Sequence, residues 1–366
     1  MSFGAFVQHG MRQGVIARRR GPKAGTVVAL RAAHMTGTRA VTLVTGGAGF
    51  IGSHLVDRLL ALGHDVRVVD NLSTGNANNL SSVLDKIDFV RGDLRDEAVC
   101  RRAVQGAELV FHVAALPSVP RSLADPWTSH DCNVNATLRL LIACADAQVR
   151  RVVYSSSSST YGDTATLPKV EAAEPQPRSP YAAAKLAGEQ YVLAFARAGR
   201  LEGVALRYFN VFGPRQDPNS PYAAVIPTFL AAARDGRPAV VFGDGTQTRD
   251  FTYVANVVEA NVLAAKAPAA RANGTVVNIG AGQRTSLLGL LDLVRDVTGR
   301  GLPHTCQPRR GGDVRDSLAS LERAHELIGY QPRVTLREGL QRTWTWFASS
   351  RHPADAVRRA AAAARV

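Results

Sequence analysis

The stretch from Val41 to Gly63 constrains the fold more than any other part of the chain. VTLVT (41–45) is a short apolar run of strand formers, GGAGFIGS (46–53) is a glycine turn, and Ile51, Leu55, Val56, Leu59 and Leu60 then recur at helical spacing. Strand, tight turn and helix in that order open a βαβ unit, whose next strand lies parallel to the first. VRVVD (66–70) supplies that strand, and IDFV (87–90), ELVFHV (108–113), RVVYSS (151–156) and VALRYF (204–209) continue the series. Helices are predicted near 97–105, 133–147 and 181–198. The alternation predicts an α/β fold built on a doubly wound parallel sheet.

Past Asn210 the alternation gives way to proline- and glycine-rich loops, with helices predicted at 222–235, 256–267 and 286–299 and a strand near 239–242. The expected organisation is a basic, disordered extension (1–40), a nucleotide-binding domain (41–209, with contributions from about 236–257 and 274–281), a smaller interleaved substrate-binding domain (210–347), and a basic alanine-rich tail (348–366). No polar low-complexity segment divides the two domains, so beads on a linker are not expected.

The net charge of +14 would suggest a nucleic-acid partner if it were spread over a surface. It sits at the ends: residues 1–40 carry seven basic residues and no acid, and residues 351–366 carry four arginines against Asp355. Taking away those +7 and +3 leaves +4 for the body, an ordinary value for a soluble enzyme, and no nucleic-acid partner is expected. No stretch approaches the roughly 20 apolar residues of a membrane span, so no membrane partner is expected either. Arg18, Arg19, Arg20 and Arg31 break up any secretory apolar core in the N-terminal segment. A start at Met35, a disordered arm and an organellar presequence are the readings left open there. Cys100, Cys132, Cys144 and Cys306 are far apart with no CxxC or Cys/His pattern, which argues against a metal site or disulfide framework and suits a cytoplasmic, reducing setting. All four are expected to be buried small hydrophobes.

Gly46, Gly49 and Gly52 are spaced GxxGxxG between the first strand and helix. Glycines there allow backbone to approach a pyrophosphate, whose charge faces the helix N-terminus, so the unit reads as a Rossmann dinucleotide site; a purely structural turn is the alternative. Asp70 ends the second strand, where a carboxylate accepts hydrogen bonds from ribose hydroxyls and repels a 2′-phosphate, which points to NAD rather than NADP. Asp93, in RGDL, is placed either at the adenine region or as a helix N-cap.

Tyr181 and Lys185, in SPYAAAK, lie one turn apart on a predicted helix face. A nearby ammonium favours a phenolate, the form in which a tyrosine acts as a base. The pair gains force from the serine run Ser155–Ser159 at the end of the fifth strand, which composition alone would read as a linker.

From about residue 41 to 347 the chain resembles an extended short-chain dehydrogenase/reductase, specifically a UDP-sugar 4-epimerase, and most of all the UDP-N-acetylglucosamine 4-epimerases. The motifs that carry the resemblance are TGGAGFIGS (45–53), SSSSSTYGD (155–163), SPYAAAK (179–185), LRYFNVFGPRQDP (206–218), GDGTQTRDF (243–251) and RGGDVRDS (310–317). It implies Ser157 as the hydroxyl that binds the sugar O4, Tyr181 as general base, and Lys185 as the residue that binds the nicotinamide ribose and lowers the tyrosine pKa. The implied reaction is removal of the 4-hydroxyl proton by Tyr181 with hydride transfer to tightly held NAD. The 4-keto sugar then turns over and receives the hydride on its other face. The resemblance further places Phe50, Ile51, Asn71, Ser73, Thr74, Gly75, Leu94, Ala114, Ala115, Asn133 and Tyr208 at the cofactor. It places Ser118, Ser158, Ser159, Asn210, Gln216, Ala224, Val225, Phe242, Arg249, Arg310, Asp313 and Ser317 at the substrate, Arg249 and Arg310 as forks on the diphosphate. A homodimer through paired helices is also implied.

Ser158 and Ser159 stand where related dehydratases and decarboxylases carry carboxylates, which favours epimerisation over elimination. Ser317 stands where a bulky tyrosine would exclude a 2-acetamido group, which favours UDP-N-acetylglucosamine/UDP-N-acetylgalactosamine, with UDP-glucose/UDP-galactose also accepted. Pro117 and Asn256 depart from the family pattern, where glycine and aspartate are usual. A lyase or net oxidoreductase on the same scaffold and a non-catalytic NAD-binding regulator are the rival readings.

Overall fold

The computed structural model describes residues 40–349 apart from 219, 221–222, 310 and 312–313. The basic extension and most of the tail therefore lie outside the described residues, as do Arg310 and Asp313. Seven parallel strands form the central sheet: β1 (Val41–Thr45), β2 (Asp65–Asp70), β3 (Ile87–Arg91), β4 (Ala107–His112), β5 (Arg151–Ser157), β6 (Glu202–Tyr208) and β11 (Thr275–Ile279), in the order β11-β6-β5-β4-β1-β2-β3. The reversal between β1 and β4 opens a crevice at the carboxyl ends of the strands, where open α/β sheets bind ligands.

Both faces of the sheet are covered, which is why its strands read as near-continuous apolar runs. Adjacent residues nevertheless serve different cores: Val44, Val68, Phe111, Val153 and Leu206 pack on one face, Leu43, Val69, Val110, Val152 and Ala205 on the other. The first face is covered by α1 (Phe50–Ala61), α6 (Val254–Lys266) and α7 (Leu287–Thr298), the second by α2 (Glu97–Ala103), α3 (Ala136–Asp146) and α4 (Pro180–Arg197), with α5 (Val225–Asp235) and α9 (Leu336–Ser349) joining the first core from the later chain. Helix α8 (Glu322–Ile328) packs near the β11 edge.

The remaining strands pair away from the central sheet: β8 (Ala239–Phe242) pairs with β13 (His304–Gln307), β9 (Thr248–Asp250) with β12 (Arg284–Ser286), and β10 (Thr252–Tyr253) with β7 (Val211–Phe212). Three expectations change. The helix predicted at 133–147 is α3 preceded by a π-turn, Asp131–Asn135, in which Asn133 is turned inward and buried. Cys100 and Cys144 are buried as expected, but Cys132 is half-buried and Cys306 exposed, because β13 presents all four residues to solvent. Asp93 is not the cap of α2: that role falls to Asp96, which accepts from the Ala98 N–H at 2.8 Å.

Among the described residues no helix is long and apolar enough to cross a membrane.

Candidate active site

A cleft of about 990 Å³ runs along the carboxyl ends of β1, β2, β4 and β5 and on to the later chain. Its floor begins at the glycine turn. Gly46 has φ +66°, which only glycine adopts without strain, and a Cβ on Gly52 would stand 2.1 Å from the Gly46 carbonyl oxygen. The turn is thus built for close backbone approach at the start of α1. Asp70 accepts from Ala48 N at 3.0 Å and Leu72 N at 2.8 Å. Burial pushes its carboxyl above the ordinary value against the pull of those two amides. Asp93 accepts from the Arg95 side chain and backbone and from Asn71 Nδ2 at 2.8 Å, and these bonds, Arg95 first, hold it down at about 2. Both carboxylates line the cleft with lone pairs suited to ribose hydroxyls and an adenine amino group.

Ser157 ends β5 and accepts from Ser159 N at 3.2 Å and Ser159 Oγ at 2.9 Å, which curls Ser158–Tyr161 into a 3-10 turn. Ser179 caps α4 by accepting from Ala182 N at 3.2 Å, and Pro180 starts the helix, so Tyr181 enters the cleft in the first turn. Tyr181 is partly buried, and removal from water pushes its phenol up to about 12; a hydrogen bond with Ser157 pulls the other way. Lys185 is 3% exposed, its Nζ 4.3 Å from the Tyr154 ring centroid. Burial brings it down to about 7, with Glu189 pulling it back up. The Ser157 hydrogen bond thus eases ionisation of Tyr181 against the cost of burial.

The far end of the cleft carries Ser317, 8% exposed, whose Oγ finds no protein partner among the described residues although its N–H donates to Thr248 O at 3.1 Å. Arg249 reaches the cleft while its Nη1 donates to the Thr248 and Arg315 carbonyls, both at 2.9 Å. Asp316, beside Ser317, accepts from Thr248 Oγ1 at 2.6 Å and N at 3.0 Å, and the hydroxyl bond above all holds it below the usual carboxylate range. That ionised carboxylate is poorly suited to protonate a sugar intermediate.

Of the residues expected from the sequence, the structure gathers nearly all of those it describes around this cleft, from Gly46 to Ser317. Three stand apart. Asn133 is 1% exposed and bonds Leu116 N and O and Ser129 O, so it braces the loop after β4 that carries Ala114, Ala115 and Ser118. Val225 begins α5 and Phe242 ends β8, and neither lines the cleft. Tyr208 does line it, but its hydroxyl is taken inside by Ser155 Oγ at 3.0 Å and Asn261 Nδ2 at 2.8 Å. Lys169 also lines the cleft, without a motif to announce it, and so does Asp316, which lies in RGGDVRDS but is not among the residues expected from that motif.

The Epimerase model, described as the NAD dependent epimerase/dehydratase family, matches residues 42–280. The chain belongs to the NAD-dependent epimerase/dehydratase family. Its cofactor is NAD, and the Gly46–Gly52 turn and Asp70 fit it. The chain is 42% identical over 310 residues to a UDP-glucose 4-epimerase of Mycolicibacterium smegmatis, covering 84% of this chain and 98% of that one. The solved UDP-N-acetylglucosamine 4-epimerase from Methanobrevibacter ruminantium, in complex with UDP-N-acetylmuramic acid, is 40% identical at a TM-score of 0.81, covering 85% of this chain and 99% of that one. The UDP-glucose 4-epimerase of Thermotoga maritima with UDP-glucose is 39% identical at 0.80, covering 84% and 98%. This epimerase-family fold also accounts for Asn256. Its Oδ1 accepts from Arg333 N and Val334 N, both at 3.0 Å, while its Nδ2 donates to Val334 O at 2.9 Å, a donation an aspartate could not make.

Proposed function

We propose that the chain is a UDP-hexose 4-epimerase with firmly held NAD that interconverts UDP-N-acetylglucosamine and UDP-N-acetylgalactosamine and also accepts UDP-glucose and UDP-galactose. The observation that carries the substrate choice is Ser317: a small, nearly buried side chain whose hydroxyl has no partner among the described residues, in the wall of the Tyr181 cleft. Space and a hydrogen-bonding group at that point suit a 2-acetamido substituent, and a 2-hydroxyl also fits.

In this reading Ser157 hydrogen-bonds the sugar O4 and Tyr181 takes its proton, with the Ser157–Tyr181 hydrogen bond holding the two groups in line. Lys185 binds the nicotinamide ribose. NAD, when bound, supplies the hydride acceptor and donor and a positive ring that favours the phenolate. Asn210 and Arg249, with Arg310 and Asp313, hold the nucleotide end. Ser158 and Ser159 are hydroxyls, and Asp316 is held ionised by Thr248, so neither the positions after Ser157 nor Asp316 supplies a proton donor for elimination. Paired α3 and α4 helices of two copies would form the dimer.

The test is Ser317→Tyr. The phenol enters the cleft wall, and overpacking of about 1–3 kcal/mol against the acetamido group lowers kcat/KM for the N-acetylated pair by ~5–150-fold, with UDP-glucose turnover nearly kept. Equal losses on both sugars would show that Ser317 is not the gate.

A further inference from the structure

Behind the cleft, one turn along α4 from Lys185, Glu189 is fully buried and accepts three hydrogen bonds. Ser156 Oγ donates to Oε2 at 2.7 Å, Arg207 Nε donates to the same oxygen at 2.9 Å, and Arg207 Nη2 donates to Oε1 at 2.7 Å. The Arg207 side chain is 3% exposed. A single carboxylate thus ties α4 to β5, through the neighbour of Ser157, and to β6. The helix lies tight on the sheet here: a Cβ on Gly188 would stand 2.3 Å from the Tyr154 hydroxyl.

A buried ion pair with its desolvation cost is weak evidence of stabilisation, and apolar residues of the same volume do as well or better. The pair makes more sense as a fixed charge beside Lys185. Along its own helix Lys185 has Glu189 one turn on and Tyr181 one turn back, the Tyr154 ring faces it from β5, and its charge acts on His112 of β4. His112 is itself kept neutral, at about 3, by burial and by Lys185, and its two nitrogens are engaged by Thr45 and Thr137. Arg207 faces Glu189 and the Tyr161 ring, 4.6 Å away, with Glu171 within its field. Glu189 is therefore the one anionic group among those neighbours that can balance a buried ammonium.

We propose that Glu189 is a positioning residue for the reaction: it holds Lys185 in the charged form and, through Ser156 and Arg207, fixes the register of α4 on β5 that brings Tyr181 to Ser157. The inference rests on the reading of Tyr181 and Lys185 given above. Burial lowers the Lys185 ammonium and Glu189 raises it, the two together leaving it at about 7, so loss of the Glu189 charge moves its titration further down, and the ammonium is lost as pH rises through a lower value.

The experiment is direct titration of Lys185 by NMR in the full chain labelled with [13C]lysine, without sugar; the chain has five lysines, and the Lys185 signal is the one lost in Lys185→Arg. In Glu189→Gln the Lys185 midpoint should fall by one pH unit or more, and the alkaline limb of kcat/KM should fall with it. The double variant Glu189→Gln/Arg207→Gln removes both charges and avoids a lone buried cation; it should show the same displacement. A Lys185 midpoint unchanged in the folded single or double variant, or restored to the wild-type value in the double, would overturn the proposal, because a merely structural ion pair predicts those results. The titration needs no turnover, so wild-type protein that makes no epimer while its Lys185 shifts as described would refute the epimerase reading and leave the electrostatic role of Glu189 standing.

Discussion

Asp250, in the GDGTQTRDF motif, offers a quantitative test of how the substrate end of the cleft is held. The residue is fully buried at the end of β9. Oδ1 accepts from Ala281 N at 2.7 Å, and Oδ2 accepts from Gly282 N and Ala319 N, both at 3.1 Å. Three segments meet on this carboxylate, and Ala319 lies two residues from Ser317. In Asp250→Ala the Ala319 N–H is orphaned in the interior, the Ala281 N–H partly so, and the exposed Gly282 N–H turns to water. At about 1–3 kcal/mol for each buried donor left unsatisfied, the expected loss of stability at pH 7 is about 3 kcal/mol. Burial raises the carboxyl to about 6 in the fold from an ordinary 3.8, so the folded state binds the proton more tightly than the unfolded chain. The contribution of Asp250 is then greatest below pH 4 and falls as pH rises to 6, by about 3 kcal/mol for a shift of two units. Urea unfolding of wild type and variant across pH 4–7 should show a stability gap that narrows as pH rises and levels off above 6. A gap below about 1 kcal/mol throughout, or one that does not change with pH, would refute this account of Asp250.

Two further substitutions test other parts of the site. Tyr181→Phe should leave bound NAD unchanged by absorbance and protein fluorescence while turnover falls below detection; retained activity would displace Tyr181 as the base. Asn256→Asp should lower stability by about 1–2 kcal/mol, because the Val334 carbonyl loses its donor and faces an anion, with KM unaltered; an unchanged urea midpoint would show that the Asn256 clamp is not needed.

The central sheet was legible because parallel strands buried on both faces are apolar along their whole length, as in VTLVT and RVVY. The glycine turn, Ser157, Tyr181 and Lys185 were legible for a different reason: their spacing within short motifs has a mechanical meaning on a strand end or a helix face. The strands of two or three residues, Val211–Phe212, Thr248–Asp250, Thr252–Tyr253 and Arg284–Ser286, were not, since so few residues cannot establish a period of two. The exposed β13 has no apolar face to detect, which is also why Cys306 was misplaced. Glu189, Ser156 and Arg207 come from three elements, so their meeting exists only in the fold. Asn133 fits the family pattern but braces the loop after β4 from behind, a distinction that no spacing conveys.

The central claim is C4 inversion of a UDP-hexose by NAD that stays with the protein. Purified protein incubated with UDP-N-acetylglucosamine, and separately with UDP-glucose, without added NAD, and followed by proton NMR of the sugar H4 and anomeric signals, tests it most directly. The account predicts that each sugar approaches equilibrium with its C4 epimer, with no accumulated keto sugar and no net NADH absorbance. No epimer from either sugar, or release of a keto, dehydrated or decarboxylated product, would contradict it.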